Sequence, residues 1–282
     1  MTCRQLIVSA DDMGLTEGHN RAVVRAHSEG ILTSTSLLAC GMAFEDAVAR
    51  ARASPRLGIG VHLTLLEGTP ACPPSAVPDL IPPSAGGAFG TRYGRLLWGV
   101  TFGRVRLKQV RDEWGAQIER VIGSGLDITH LDSHKHVHMH PQLLGVALAL
   151  AKEYGIARMR LSRPPRLIVH AKSAALRLLA FWARRRMARH GIRFPKALLG
   201  LEASGQMTTA RLQKALCAPW NGVCELMTHP AYSSRELAQL TVRGYGWVGK
   251  YRFEDELAAL CHPRTRDTLA AGDIELVTFG GL

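Results

Sequence analysis

The chain has 282 residues, 46% of them hydrophobic, enough for a sizeable core, yet its longest apolar run, LLGVALALA, stops at Lys152 well short of the roughly 18 residues of a membrane span. Its 35 Lys and Arg exceed its 23 Asp and Glu by 12, but twelve basic residues and no acid stand between Tyr154 and Leu201, so one segment holds the whole excess. Six cysteines without a C-x-x-C pair argue against a zinc ribbon and read as reduced packing residues, and an N-terminus that runs at once into two acids is unlike a secretory signal, so a cytoplasmic protein is expected.

In chain order, β-branched apolar runs alternate with helical patterns, the signature of β/α repeats on a parallel sheet. QLIVSA reads as the first strand, Glu17 to Glu29 as a helix stopped by Gly30, LTSTSLLA as a strand, FEDAVARARA as a helix and LGIGVHLTL as a strand. Residues 70–103 are rich in Pro and Gly and are expected to form a long loop or lid without regular structure. Its Phe89, Tyr93 and Trp98 either cover a bound ligand or pack beneath the loop. Leu107 to Ile122 resumes as a helix, DITHLDSH is a strand, PQLLGVALALAKEYG is a helix with Pro141 in its first turn, and ARMRLS is the next strand. Beyond the basic segment come a helix at Thr209 to Cys217, the strand VCELMTH, helices at Phe253 to Cys261 and from Pro263, and the last strand IELVTF. Roughly seven strands in one α/β domain fit a TIM-barrel-like fold better than an open three-layer sheet.

Polar residues gather where these strands end, the rim that carries chemistry in parallel β/α folds. Asp11 and Asp12 close the first strand, His62 the third, Asp132 and His134 the fourth, and His229 ends VCELMTH. Each has an ordinary reading: a capped turn for DDMG, a hydrogen-bonded core residue for His62, a strand end for His229. The run LDSHKHVHMHP, with His134, His136, His138 and His140 at every second position, is harder to explain as structure alone. Two imidazoles and a carboxylate suit a divalent ion with open positions, and a second carboxylate beside them can act as general base. Asp11 and Asp12 cannot share one job if both stay in the strand, because consecutive side chains then point to opposite faces.

IVSADDMGLTEGHN, GILTSTSLL, GIGVHLTL, THLDSHKHVHMHP, ELMTHPAY and RFEDELAAL resemble, in order and spacing, the YdjC-like carbohydrate deacetylases, which include the chitooligosaccharide deacetylases. Within them the chain looks most like the branch associated with hopanoid biosynthesis, whose members are thought to deacetylate an N-acetylglucosaminyl hopanoid. The resemblance implies a distorted β/α barrel with one divalent metal held by Asp12, His62 and His134, Asp11 as base and His229 as the acid that protonates the departing amine. Met13 and Ala231 depart from the family's usual Phe and Gly and are expected to reshape the pocket. His136, His138 and Asp132 remain as substrate contacts or supports of the ligands, and His140 leads into the helix behind it. Zinc, manganese, iron, cobalt or nickel suits this donor set; magnesium, often associated with the family, is a less expected partner for histidine.

In the basic segment, residues 154–201, Leu176, Leu179, Ala180, Ala183 and Met187 form a helical stripe ringed by Arg177, Arg184, Arg186 and Arg189. Such a helix either lies at an anionic membrane surface or packs on the barrel. Nucleic acid is not an expected partner, since no RNA- or DNA-binding motif is present. The expected partners are an N-acetylated sugar or glycolipid, the inner membrane surface, and a second copy of the chain. Competing readings are a deacetylase of soluble chitooligosaccharides, a metal-dependent phosphoester hydrolase or sugar isomerase, and a metal-stabilised binding protein without catalysis.

Overall fold

The computed structural model describes residues 4–165 and 171–282, with side chains outside the description at 171–176. Cys3 and the side chain of Leu176 therefore lie outside the described residues. The first strand, β1 (Arg4–Met13), is followed by α1 (Glu17–Ser28), β2 (Ser34–Leu37), α2 (Phe44–Arg52) and β3 (Gly58–Leu63). Then come α3 (Tyr93–Thr101), α4 (Leu107–Gly123), β4 (Ile128–Ser133), α5 (Pro141–Glu153) and α6 (Ala171–Arg189). The remainder is β5 (Leu198–Leu199), α7 (Thr209–Cys217), β6 (Gly222–Thr228), α8 (Arg235–Val242), α9 (Phe253–Cys261), α10 (Pro263–Ala271) and β7 (Ile274–Leu276).

All described strand pairings are parallel, in the order β4-β3-β2-β1-β6-β5, with β7 added to β1. β2 and β3 are buried along their whole length, as expected where helices cover a curled sheet outside and side chains fill it inside. Helix α4 shows how the cover forms: Val110, Trp114, Ile118 and Val121 recur at helical spacing and are fully buried. Thr16 begins α1 by accepting a hydrogen bond from the His19 amide, and Ala22, Val23 and Ala26 seat that helix in the core.

Three expectations change. ARMRLS is not a laddered strand: single bridges, Leu131 to Met159 and Arg158 to Arg193, span the gap between β4 and the segment leading into β5. This is where the barrel is distorted, and it leaves Arg160 on an extended segment facing inward. The Pro and Gly-rich stretch is not wholly irregular, since its last third is α3, a proline-free run that buries Leu96, Gly99 and Val100. The IELVTF strand stops at Leu276, and Phe279 instead stacks on His130 with ring centroids 3.7 Å apart. The short β5 and the helix α8 add to the elements expected from the sequence.

In α6, Ala180, Ala183 and Met187 are buried, Leu179 is half-buried, and Arg186 donates to the Pro141 carbonyl at the start of α5. The described part of the apolar stripe packs on the barrel and does not face outward. What α6 exposes is a different set, Leu178, Phe181 and Trp182, among the exposed Arg184, Arg185 and Arg189.

Candidate active site and metal centre

The strand ends converge on one buried polar cluster. Asp12 sits at φ 65°, and the β1–β2 register shifts between Ala10 and Met13. That left-handed residue breaks the two-residue alternation, so Asp11 and Asp12 both reach the cluster instead of pointing to opposite faces. The turn is completed by Gly14 at φ 92°, whose amide donates to Asn20 Oδ1; a Cβ there would press at 3.0 Å on Leu37 and on the Leu38 carbonyl.

Asp12, His62 and His134 offer ligand atoms within 4.8 Å of one another, and all three are buried. Asp12 Oδ1 lies 3.1 Å from His134 Nδ1 and 3.5 Å from His62 Nε2. The far nitrogen of each ring meets a carboxylate: His62 Nδ1 lies 2.7 Å from Asp132, and His134 Nε2 lies 2.9 Å from Glu67. Carboxylates behind the rings in this way fix the tautomer and aim of metal-ligating histidines, and the donor set fits a divalent ion such as zinc or manganese. Burial works against the Asp12 charge, but His134, then His62 and His229, hold its carboxyl below the ordinary range. Burial likewise opposes the His134 charge, and Asp12 and Glu67 outweigh it, lifting that ring to about 9.

A second group, Asp11, His62 and Asp132, is equally close. Here a cation is already built in. Arg160, fully buried, places Nη1 and Nη2 each 2.7 Å from the two Asp11 oxygens, Nη1 2.6 Å from Asp132, and Nη2 and Nε 2.6 and 2.8 Å from Glu225. One guanidinium thus neutralises the second group, which leaves Asp12, His62 and His134 as the set able to hold a metal. Burial pushes the Glu225 carboxyl up to about 7 although Arg160 pulls it down, and its Oε2 has no hydrogen-bond partner among the described residues. Ser36, at the end of β2, bridges Asp132 at 2.9 Å and His62 at 3.1 Å.

His229 stands opposite, its Nε2 4.0 Å from Asp11 Oδ2 and its Nδ1 3.9 Å from Glu256, with its ring against Tyr251. The rest of LDSHKHVHMHP divides by the backbone. Lys135 and His136 are left-handed, at φ 53° and 57°, which ends the strand after Ser133 and stops the alternation that the sequence suggested. His136 turns to Ser162 at 3.0 Å. His138 is fully buried between Ser133 and the Arg160 carbonyl, and burial lowers it to about 4, so it supports Arg160 and does not face a substrate. His140 leads into α5 and lies 3.0 Å from the Thr101 hydroxyl.

Sequence reading missed Arg160, Glu225, Ser36 and Glu67. Glu67, at φ 62° on the loop after β3, also receives the Lys135 ammonium and the Trp247 indole N–H, the latter at 2.8 Å. Of the loop aromatics, Phe89 is buried packing, while Trp98 is 66% exposed and stacks on Phe102. The five described cysteines are free thiols.

A family model described as YdjC-like protein matches residues 5–271. A carbohydrate deacetylase of Brevibacillus brevis is 33% identical over 99% of both chains. A chitooligosaccharide deacetylase of Klebsiella pneumoniae is 30% identical over 99% of this chain and 92% of its own. The crystal structure of an Enterococcus faecalis V583 protein superposes with a TM-score of 0.78 at 27% identity, covering 99% of both chains.

Proposed function

This chain belongs to the YdjC-like protein family, and from that membership we propose that it is a hydrolase that removes an N-acetyl group from a sugar, releasing acetate and a free amine. The observation that carries the reading is the buried convergence of Asp12, His62 and His134 beside Asp11 and His229. In this proposal the first three hold one divalent ion. When bound, that ion polarises the acetyl carbonyl and acidifies water.

The chain's own groups do the rest. Asp11 takes the proton of the attacking water, its carboxylate kept in place by the two-toothed Arg160 contact. The amide nitrogen leaves poorly until protonated, and His229 Nε2, across the site from Asp11, supplies that proton. Glu256 lies behind Nδ1, 3.9 Å away. Asp132 and Glu67 keep the two ligand rings aimed at Asp12.

The finer reading is a lipid-linked acceptor, an N-acetylglucosaminyl hopanoid, met at the cytoplasmic membrane surface by a peripheral protein. Its support is the sequence likeness to the hopanoid-associated branch and the exposed Leu178, Phe181 and Trp182 beside exposed arginines on α6. No described helix is long and apolar enough to cross a membrane. A soluble chitooligosaccharide is the second reading, favoured by the Klebsiella relative. Metal-reconstituted protein incubated with the glycosyl hopanoid and with diacetylchitobiose is expected to release acetate from the first. Release from the soluble sugar alone overturns the lipid-linked acceptor; release from neither overturns deacetylation.

A further inference from the structure

His229 stands one residue beyond β6, and to serve as a proton donor its ring must point one way. Among the described residues no hydrogen bond sets that direction. Nδ1 is buried without a partner, and Nε2 lies 4.0 Å from Asp11 Oδ2, beyond hydrogen-bond reach. Glu256 is 3.9 Å from Nδ1, but its oxygens serve backbone amides, Oε1 that of Met207 and Oε2 that of His229 itself. His62 and His134 are each aimed by a carboxylate at the far ring nitrogen, Asp132 and Glu67; His229 has no such partner.

A neighbouring ring takes over that task. Tyr251, two residues before α9, meets His229 with ring centroids 5.1 Å apart and planes crossing at 64°, a T-shaped contact that only one orientation of each ring allows. Tyr251 is itself firmly seated. Its hydroxyl shares a hydrogen bond with Ser204 Oγ at 2.9 Å, and its ring meets Trp247 at 4.9 Å and Phe253 at 5.6 Å. Next to Ser204, Gly205 stands at φ 72°, and the Tyr251 ring fills the space a side chain would need: a Cβ there would overlap Cγ, Cδ1 and Cε1. The Arg252 amide donates to the Gly205 carbonyl at 2.6 Å and ties the two segments together. Glu256, holding the Met207 and His229 amides at once, joins the same segments to the end of β6.

We propose that Tyr251 is a positioning residue for deacetylation: its ring, seated on Ser204 and Gly205, fixes the orientation of the His229 imidazole and so the direction in which Nε2 delivers its proton. This rests on the reading of His229 as the acid that protonates the departing amine. Without the Tyr251 ring, His229 keeps its backbone anchor at Glu256 but is free to turn about its side-chain bonds, and a misplacement of about 1 Å at a reacting group costs up to about 100-fold in rate. The hydroxyl serves the seat and not the proton transfer, so a phenyl ring in the same place does the same work.

The test compares full-length wild-type protein, loaded with zinc, with Tyr251→Leu and Tyr251→Phe, all assayed below their melting temperatures. The substrate is whichever of N-acetylglucosaminyl hopanoid and diacetylchitobiose releases acetate. In Tyr251→Leu, kcat is expected to fall by about 10- to 100-fold while KM stays within about twofold, the pattern of a group that acts in the transition state and not in substrate binding. Tyr251→Phe is expected to stay within about threefold of wild type in both, since the ring is kept. A second readout needs no turnover: the order parameter of the His229 Cε1–H bond by NMR, its signal assigned by its absence from His229→Gln. It is expected to be in the rigid range in wild type and Tyr251→Phe and to drop to the flexible range in Tyr251→Leu. A Leu variant that loses kcat without losing ring order, or ring order without kcat, overturns the proposal, as does one that keeps both. A Phe variant as slow as the Leu variant overturns the ring as the acting group, and a rise in KM with kcat unchanged makes Tyr251 a substrate contact instead. If wild-type protein releases acetate from neither substrate, the deacetylase reading falls, and the order parameter alone decides whether Tyr251 holds the His229 ring.

Discussion

Replacing Arg160 by Met removes the one cation shared by Asp11, Asp132 and Glu225 while keeping most of the side chain's volume. The fully buried guanidinium reaches the two Asp11 oxygens at 2.7 Å, Asp132 at 2.6 Å, and Glu225 at 2.6 and 2.8 Å, and a thioether replaces none of these bonds. Removing one partner of a buried ion pair costs about 3 to 5 kcal/mol, because the other is left charged in a poor solvent. The lower end applies here, since Glu225 already sits at about 7 and gains a proton readily. With an unfolding entropy of about 2.1 cal/mol/K per residue over 282 residues, that loss lowers the melting temperature by about 5 °C. Asp11 loses the contact that aims it, so acetate release falls by about 100-fold or more, the usual worth of a positioned general base. Arg160→Lys regains part of the stability but not the activity, because one ammonium cannot make the two-toothed contact. Melting is followed by circular dichroism and catalysis by acetate formation. A Met variant that melts within about 2 °C of the parent and keeps its rate refutes the reasoning.

Asp11→Asn is expected to keep a bound metal, measured by elemental analysis, while acetate release drops by about 100-fold or more; full activity would remove Asp11 from the proposed mechanism. Glu67→Gln leaves His134 without its carboxylate and is expected to weaken metal binding by about 10- to 100-fold in calorimetry, an effect that an unchanged affinity would disprove. Stability also depends on pH. His19 and His138 are held by burial at about 4 and His130 at about 3, against an ordinary 6.5, so between 6.5 and 4 the unfolded chain binds protons that the folded one refuses. Stability therefore falls as pH drops through that window. Glu225, raised to about 7, and Glu256, also raised by burial, have the opposite slope above 4.5, and His134 and His62, raised by their carboxylates against burial, have it above 6.5. His136, which burial lowers well below 6.5, joins the other three histidines, and between 6.5 and 4 these four outweigh the two carboxyls. Melting temperatures of metal-free protein at pH 7.5 and 5 check the sign, and a higher value at pH 5 would contradict it.

The order of elements is legible in the sequence because it is local. Apolar period and turn residues place β1 to β4, β6 and most helices, and the carboxyl ends of parallel strands predict that Asp11, Asp12, His62, Asp132, His134 and His229 share a rim. Two local signals were outweighed. Proline and glycine around residue 80 masked α3, and ARMRLS, though strand-like, found no partner with which to build a ladder. The left-handed turns at Asp12 and at Lys135–His136 decide which carboxylate and which histidine enter the cluster, and no residue type announces them.

Tertiary structure alone decided the role of Arg160. In the sequence it is one of twelve basic residues in an acid-free segment, indistinguishable from a solvated charge. Its acids lie 149 and 65 positions away, at Asp11 and Glu225, and only the curled sheet brings them to one point. The same holds for Glu67, 67 positions from His134 and 180 from Trp247. Sequence pattern reports which face each segment buries; which charges meet inside depends on contacts between distant segments, and those exist only after the barrel has formed.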